Sequence, residues 1–319
     1  MTSAASPPPA PASLTLTDLA ADWEMVREPT AETARQMRVI THDLSALSHL
    51  TDARALAPRH LRAFRDDLLA HHRRPTARKM FGLAHALLEF GVHEALLDTN
   101  PAHGMTLPSS PPATPPHAPF TPSELTRLFT HRVFTARELP PQGGAGGIAA
   151  YWLPLLLLCS GVRLDTAAAL RTDHLLYSAD LPAVPYWRFD TPPYLEYRQP
   201  VHPILCRLGL LDYVAGLPPG HDLFPLLTPD RAGRRTAGFS TYFSRLLRRE
   251  VGIVDPGKVA VSLRLNFALA CREAELSHLH RCALLGSPLP DEWTCFGVDL
   301  PLAVLQKGML RLSFPGFPL

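Results

Sequence analysis

Hydrophobic residues recur at helical spacing through the first third of the chain, from Leu16 to about Leu97. In the stretch LRAFRDDLLAHHRR, Leu61, Phe64 and Leu68 share one face, and TARKMFGLAHALLEFG shows the same spacing at positions 80, 81, 84, 87 and 88. A period of about 3.6 residues is typical of helices that bury one face. The pattern predicts four or five short helices, with Gly91 as a helix stop.

The remainder of the chain mixes two patterns. A helix is predicted at FTPSELTRLF, because Thr121 is a good N-cap and Glu124 completes a capping box. The apolar run from Trp152 to Cys159 predicts a buried helix, whereas YWRF and YLEYRQPV predict short strands of a small antiparallel sheet. Residues 241–312 return to a mainly helical pattern. The expected fold class is therefore mainly α with a small antiparallel β-sheet.

Two proline-rich stretches divide the chain. Residues 1–13 predict a disordered tail, and residues 107–119 predict a semi-rigid linker, since proline is excluded from helix interiors and central strands. The 319 residues are enough for two ordinary domains. We expect a helical N-terminal domain at 14–106 and a larger C-terminal domain at 120–319.

Charge is concentrated locally, although the net charge is only +2 and gives no argument for a nucleic-acid partner. Residues 54–79 hold eight Lys and Arg against two Asp, and residues 231–249 hold six Arg and no acid. A solvated helix face is the ordinary interpretation of such a run. Two basic clusters in two linked domains instead favour a protein that closes around a polyanion. Their candidate phosphate-binding residues are Arg62, Arg65, Arg74, Arg78, Lys79, Arg245 and Arg248.

The sequence predicts no cofactor, no metal and no membrane. Its five cysteines form no CxxC pair, which argues against a disulfide framework and for a reducing cytoplasm. A zinc site remains open at Cys271, His278, His280 and Cys282. The favoured interpretation is that these residues lie on one helix, with side chains that are solvated or face the core. The uncharged stretch 142–162 contains an apolar run too short to cross a bilayer, and MTSAASPPPAPAS lacks the features of a signal peptide.

Five pieces of the chain, in order, resemble segments of the tyrosine recombinases, also called phage integrases. They are LLDTNPAHGMTLP, YWLPLLLLCSGVRLDTAAAL, RQPVHPILCRLGLLDYV, VSLRLNFALACREAELSHLHRCALLGSP and FGVDLPLAVLQKGMLRLSFPGFPL. No piece is diagnostic alone, but their order and spacing are fairly specific. The resemblance covers nearly everything from Leu16 onward. It implies a helical core-binding (SAM-like) domain followed by a catalytic-type domain.

The chemistry implied by the resemblance is DNA strand exchange without a metal. In this family a tyrosine oxygen attacks a backbone phosphorus, and two arginines bind the phosphoryl oxygens. A lysine gives a proton to the departing 5′ oxygen, and histidines assist proton transfer.

Carried over residue by residue, the resemblance keeps the arginines and loses the other groups. Arg163 and Arg264 stand at the two arginines, whereas Val261 and Ser287 stand where the family has histidine or tryptophan, and Phe296 replaces the tyrosine. No tyrosine follows Arg264, and no lysine lies between Lys79 and Lys258. Arg188 or Arg198 could lie near the lysine position, but a guanidinium is a poor proton donor. The site implied is vestigial.

The expected function is therefore DNA binding without catalysis, on duplex or branched DNA at the nucleoid. The protein would act alone, as a homo-oligomer, or as an inactive subunit beside an active recombinase. One alternative is an active recombinase that uses Cys295 or Ser287 as its nucleophile. Another is a protein-interaction module that has lost DNA binding. If the arginine pair still clamps a phosphate, both guanidiniums converge near Phe296 and are not paired with Asp165 or Glu273.

Overall fold

A computed structural model describes residues 13–108, 117–141, 144–178, 184–191, 194–230, 234–287 and 300–318. The chain divides into two units, Met1–Thr114 and Pro115–Leu319, and each has its own hydrophobic core. Within these described ranges, every helix is too short or too polar to cross a membrane.

The N-terminal unit is helical, as the sequence predicts. Its described part contains α1 (Leu16–Arg27), α2 (Ala31–Ser48), α3 (Pro58–His71) and α4 (Arg74–His93). Thr15 caps α1 in a capping box with Asp18, and the Thr30 hydroxyl caps α2. These side chains accept hydrogen bonds from backbone N–H groups that have no partner inside the helix.

The core of this unit uses the faces that the periodicity predicts. Leu61, Phe64 and Leu68 of α3 are buried. The prediction for Gly91 is wrong, because α4 continues through it to His93. A Cβ at Gly91 would lie 2.8 Å from Leu97 Cδ1, so glycine serves close packing here and does not end the helix.

The C-terminal unit is mainly helical with one small sheet. Its helices are α5 (Pro122–Phe129), α6 (Arg132–Thr135), α7 (Ala149–Ser160), α8 (Leu164–Ala168), α9 (Pro203–Arg207), α10 (Leu210–Ala215), α11 (Ala237–Arg249), α12 (Ala260–Glu273), α13 (His278–Leu285) and α14 (Leu302–Met309). The strands β1 (Leu175–Tyr177), β2 (Pro185–Thr191) and β3 (Tyr194–Pro200) form an antiparallel sheet in that order.

Helix α7 is the centre of this unit, and every one of its residues is buried. Its lack of a polar face fits a helix surrounded by core, and α12 packs against it. The predicted capping box at the start of α5 is confirmed: the Thr121 N–H donates to Glu124 Oε2 at 2.8 Å, and the Glu124 N–H donates to Thr121 Oγ1 at 3.3 Å.

The two faces of the sheet differ. Across β2 and β3, Trp187 is opposite Gln199, and Phe189 is opposite Tyr197. Trp187, Phe189 and Gln199 are buried. Because side chains alternate along a strand, Tyr197 and Gln199 face the core with the two aromatic residues of β2.

A buried histidine gives this unit an acid-sensitive stability. Burial lowers the pKa of His202 to about 4; Arg207 also lowers it, while the backbone at Leu312 acts the other way. An unfolded chain has a histidine pKa of about 6.5, so below that pH the unfolded state binds a proton that the folded state does not. Stability is therefore complete above pH ~6.5 and is expected to fall by up to about 3 kcal/mol as pH drops to about 4.

The measurement is urea unfolding at several pH values within that window, for the native chain and for His202→Asn. His202 Nδ1 accepts the Ile204 N–H and caps α9, and asparagine can also serve as an N-cap but does not titrate. The variant is expected to lose part of the pH dependence. Identical slopes for the two proteins would contradict the assignment to His202.

Candidate nucleic-acid interface

Arg163 comes directly after the buried helix α7. Gly161 ends that helix with φ 61°, and a Cβ there would overlap the ring of Phe267 on α12. Val162 is buried, and Arg163 then precedes α8 with an exposed side chain. The packing of α7 against α12 therefore fixes the point from which Arg163 extends.

Arg264 lies on α12 and is half-buried. Its Nη2 donates a hydrogen bond to the carbonyl of Leu285, the last residue of α13, at 3.2 Å. Helix α13 then ends at Gly286 with φ 57°. This contact holds the guanidinium at the C-terminal end of α13, where the helix dipole favours a cation.

Gln199 of β3 ties together the two chain segments that carry the arginines. Its Nε2 donates to the carbonyls of Ser160 and Leu284, both at 2.6 Å. Ser160 ends α7 just before Arg163, and Leu284 precedes the residue that accepts from Arg264. A fully buried side chain thus joins the ends of α7 and α13.

The two arginines act on each other electrostatically. Burial lowers the pKa of Arg264, and the positive charge of Arg163 lowers it further. Among the described residues neither guanidinium forms an ion pair with a carboxylate. Asp165 instead accepts a hydrogen bond from the Thr236 hydroxyl, and Glu273 is exposed at the end of α12. The two positive charges therefore act on each other, and no carboxylate in the part of the chain that the structure describes pairs with either of them.

Tyr197 of β3 belongs to the same group, and sequence reasoning missed it. Its ring stacks on Phe189 with the centroids 4.7 Å apart, and its Cε1 and Cζ lie 2.5 Å from where a Cβ on Gly286 would stand. Burial raises the pKa of this phenol to about 12, while the charges of Arg264 and Arg163 act to lower it. The resemblance directs attention only to tyrosines beyond Arg264. The signal that could have found Tyr197 is strand alternation, which puts it on the core side of the sheet.

In the resembling family some positions carry histidine, tryptophan or lysine for proton transfer. At the corresponding positions that the structure describes, this chain has other residues. Val261 is 36% exposed and lies one helical turn before Arg264, on the same face of α12. Ser287 lines a cavity of about 760 Å³ beside α12 and α13. The Lys258 ammonium is buried and bound to the Glu124 carboxylate. Phe296 and Cys295 lie outside the described residues.

The two arginines of the sheet lie on the face that points away from Arg163 and Arg264. Arg188 is opposite Arg198 across β2 and β3. Both alternate with residues that face the core, so they extend from the face of the sheet opposite to Tyr197.

The basic residues of the N-terminal unit are mostly on its surface. Arg62, Arg74, Arg78 and Lys79 are exposed, and the described residues offer them no ion pair. Arg65 differs, because its Nε donates to Asp66 Oδ1 at 2.9 Å. The first turn of α4 contains no acidic residue. Cations near the start of a helix oppose the helix dipole, so this arrangement lowers stability while presenting positive charge.

The basic cluster of the C-terminal unit is largely used within the protein. Acids from outside the run bind two of its members: Arg234 pairs with Asp230 at 2.9 Å, and Arg235 pairs with Asp222 at 2.6 Å. Arg248 donates to the carbonyls of Ile253 and Lys258, both at 2.8 Å. We therefore assign Arg248 to holding the loop before α12 and leave it out of the interface. Arg245 and Arg249 remain exposed on α11.

The cysteines and histidines of α12 and α13 do not gather around one point. In the described part of the chain, no group of three or more His, Cys, Asp or Glu is placed to hold a metal ion. Cys282 Sγ lies 3.5 Å from His278 Nε2, whereas His280 Nδ1 is 2.7 Å from the Ser277 hydroxyl. Burial raises the pKa of the Cys282 thiol, so this pairing does not activate it.

The fold is similar to those of solved integrases. The Tn1549 transposon integrase in complex with a circular intermediate DNA matches at a TM-score of 0.61 and 13% identity, over 94% of this chain and 100% of that one. A lambda integrase tetramer bound to a Holliday junction matches at 0.59 and 15%, over 91% and 81%. A lambda integrase dimer bound to a COC′ core site matches at 0.57 and 15%, over 90% and 96%. At such low identity the likeness shows the fold, which confirms the predicted fold class. No family model and no curated protein matches the chain.

Proposed function

We propose that this protein binds DNA through the phosphate backbone and does not cut it. The observation that carries the proposal is that Arg264, held at the end of α13, lies within reach of the positive charge of Arg163, and no carboxylate among the described residues pairs with either arginine. A guanidinium presents a planar fork of donors that matches the oxygens of a phosphate. Like charges held close together lower stability, so their retention is best accounted for by a bound anion.

DNA is the polyanion that fits the fold. Integrases of this fold are seen with a circular intermediate DNA, a core site and a Holliday junction. We extend that ligand class to this chain, on duplex or branched DNA at the nucleoid. Phosphate contacts position a protein on DNA without reading sequence, so the arginine pair accounts for affinity and leaves site preference to other residues.

The chemistry of the side chains supports the proposed absence of catalysis. Strand cleavage needs a nucleophile and a group that protonates the leaving oxygen. No tyrosine follows Arg264 in the sequence, and Val261 supplies no proton. Lys258 is held in its buried ion pair with Glu124.

An inactive DNA-binding protein of this fold can act in two ways. It can occupy or organise DNA as a homo-oligomer, or it can join a recombinase assembly as a subunit that binds without cutting. Lambda integrase neighbours are a dimer and a tetramer on their DNA. We propose assembly on DNA as the working state, with either the same chain or an active recombinase as the partner.

The test of DNA binding is a salt titration with three probes of the same sequence: duplex, single-stranded and four-way-junction DNA. Phosphate-mediated binding predicts that the logarithm of affinity falls linearly with the logarithm of salt concentration. Duplex and junction are expected to bind more tightly than the single strand. No binding to any probe at low salt would refute the proposal and favour a protein-interaction module.

The exposed cations of α4 are expected to strengthen DNA binding without stabilising the fold. Replacing Arg74, Arg78 and Lys79 by alanine should weaken DNA binding and reduce the salt slope by about one unit for each phosphate that is no longer bound. The same change should leave the melting temperature unchanged or raise it, because Arg74 opposes the helix dipole from the first turn of α4, and Arg78 and Lys79 are exposed. The matched control is Arg35→Ala, which removes an exposed arginine already paired with Glu32 at 2.8 Å. Unchanged affinity and slope in the triple variant would make this surface a solvated face only.

A further inference from the structure

Tyr197 is held rigidly against the backbone that positions Arg264. The face of its ring stacks on Phe189, and one edge lies against Gly286 so closely that a Cβ there would overlap it. Gly286 directly follows Leu285, whose carbonyl accepts the Arg264 hydrogen bond. Gln199, two residues along β3, ties this same turn to the end of α7. The position of the phenol is therefore fixed by the contacts that fix the arginine pair.

The phenol hydroxyl lacks a hydrogen-bond acceptor in the described part of the chain. Tyr197 is only partly buried, and its hydroxyl is not sealed from solvent, so a ligand can reach it. The charged groups that act on Tyr197 are Arg264 and Arg163, and a guanidinium donates hydrogen bonds but cannot accept them. The two guanidiniums therefore supply donors only, and the phenol, which can donate or accept, is able to donate to the acceptor that the arginines bind.

We infer that Tyr197 is a third ligand of the phosphate bound by Arg163 and Arg264, and that its hydroxyl donates a hydrogen bond to an oxygen of the phosphodiester. This inference rests on the proposed DNA binding and adds a residue that the resemblance to tyrosine recombinases does not assign. A phosphodiester fits because its two non-bridging oxygens accept several donors at once.

The ionisation of Tyr197 agrees with a donor and opposes a nucleophile. Burial raises the pKa of the phenol to about 12, so near neutral pH the proton is present to be donated. The two arginines act against burial but do not overcome it. A neutral phenol is a weak nucleophile, so we assign to Tyr197 a binding role and no covalent step.

The test compares Tyr197→Phe with the native protein on the same duplex and four-way-junction DNA. Phenylalanine keeps the stack on Phe189 and the contact with Gly286, and it removes only the hydroxyl. The expected loss of affinity is about tenfold, as for one hydrogen bond to a charged acceptor. The matched control is Tyr213→Phe, whose hydroxyl donates to the Leu223 carbonyl, and its affinity should stay near that of the native protein.

A second readout separates ligand contact from a purely structural effect. In protein labelled with carbon-13 at the tyrosine ζ position, the Tyr197 resonance is identified by its absence from Tyr197→Phe. It should shift when duplex DNA is added, and the shift should disappear in Arg163→Ala/Arg264→Ala. The DNA titration itself uses the native chain, so Tyr197→Phe is needed only to assign the resonance.

The outcomes are distinguishable. If the native protein binds no DNA, both the proposed function and this inference fail. If the arginine variants bind weakly while Tyr197→Phe binds normally and the resonance does not shift, only the inference about Tyr197 fails. A tenfold loss with an unchanged melting temperature, together with the shift, supports it.

Discussion

Replacing both Arg163 and Arg264 by alanine is expected to reduce DNA affinity by about tenfold to a hundredfold, on duplex and branched probes alike. Each charge-assisted hydrogen bond to a phosphate contributes about 1.5–3 kcal/mol, and partial redundancy between two ligands of one phosphate reduces the sum. The measurement is equilibrium binding across a salt series. Since both arginines meet a single phosphate in this proposal, the salt slope should fall by about one unit and not by two.

The control must remove the same net charge without removing free donors. Arg132 and Arg234 serve this purpose, because they are exposed in the same unit and lie near Glu250 at 3.6 Å and Asp230 at 2.9 Å. The double variant Arg132→Ala/Arg234→Ala should bind DNA almost as the native protein does. If the two double variants lose the same amount of DNA affinity, Arg163 and Arg264 contribute only through the overall charge of the protein.

Stability supplies an independent check on the same residues. Arg163 is exposed, has no ion pair among the described residues, and lowers the pKa of Arg264 by its charge. Removing it relieves a repulsion, so Arg163→Ala should melt at the same temperature as the native protein or higher. A marked loss of stability would indicate that Arg163 holds the fold together and would weaken its assignment to a ligand.

Local patterns in the sequence predict the helices well because they depend on neighbouring residues. The apolar faces of α3 and the capping box at Thr121 and Glu124 are both read within one or two turns. Gly91 shows where this fails. Its role depends on packing against Leu97 after the chain has turned back, and no window on the helix itself contains that contact.

The candidate site is harder to predict, because long-range contacts define it. The resemblance assigns Arg163 and Arg264, but the segments that carry them are joined by Gln199, which binds the ends of α7 and α13. The run of arginines on and before α11 looks unneutralised in sequence, yet Asp222 reaches Arg235 in the fold. Arg248 looks like a surface cation and is bound to two carbonyls.

Tyr197 shows that a resemblance directs attention only to the positions that it assigns. The tyrosine of the resembling family belongs after the second arginine, where this chain has none. Among the described tyrosines, the phenol on which the charges of both arginines act is Tyr197 of β3, which packs beside Gly286. Its position can be predicted from sequence only after the register of the sheet is known.

Incubation with nicked duplex DNA is expected to give no covalent protein–DNA adduct. Among the described tyrosines, Tyr197 is the one on which the charges of both arginines act, and its pKa of about 12 keeps the phenol neutral near physiological pH. Among the described residues, Val261 is apolar and Lys258 is bound to Glu124, so neither is free to protonate the leaving oxygen. The measurement is denaturation in detergent followed by gel analysis.

Phe296→Tyr gives the sharper form of this prediction, because it restores a phenol at the position where the resembling family has one. Cleavage should still be absent, since a nucleophile without a proton donor leaves the 5′ oxygen a poor leaving group. A band that survives boiling in the native chain would overturn the inactive assignment. Loss of this band in Cys295→Ser, Ser287→Ala or Tyr197→Phe would then identify the nucleophile. The control Tyr213→Phe should still give the band. If Phe296→Tyr alone gives an adduct, the site has kept its proton-transfer groups and has lost only its nucleophile.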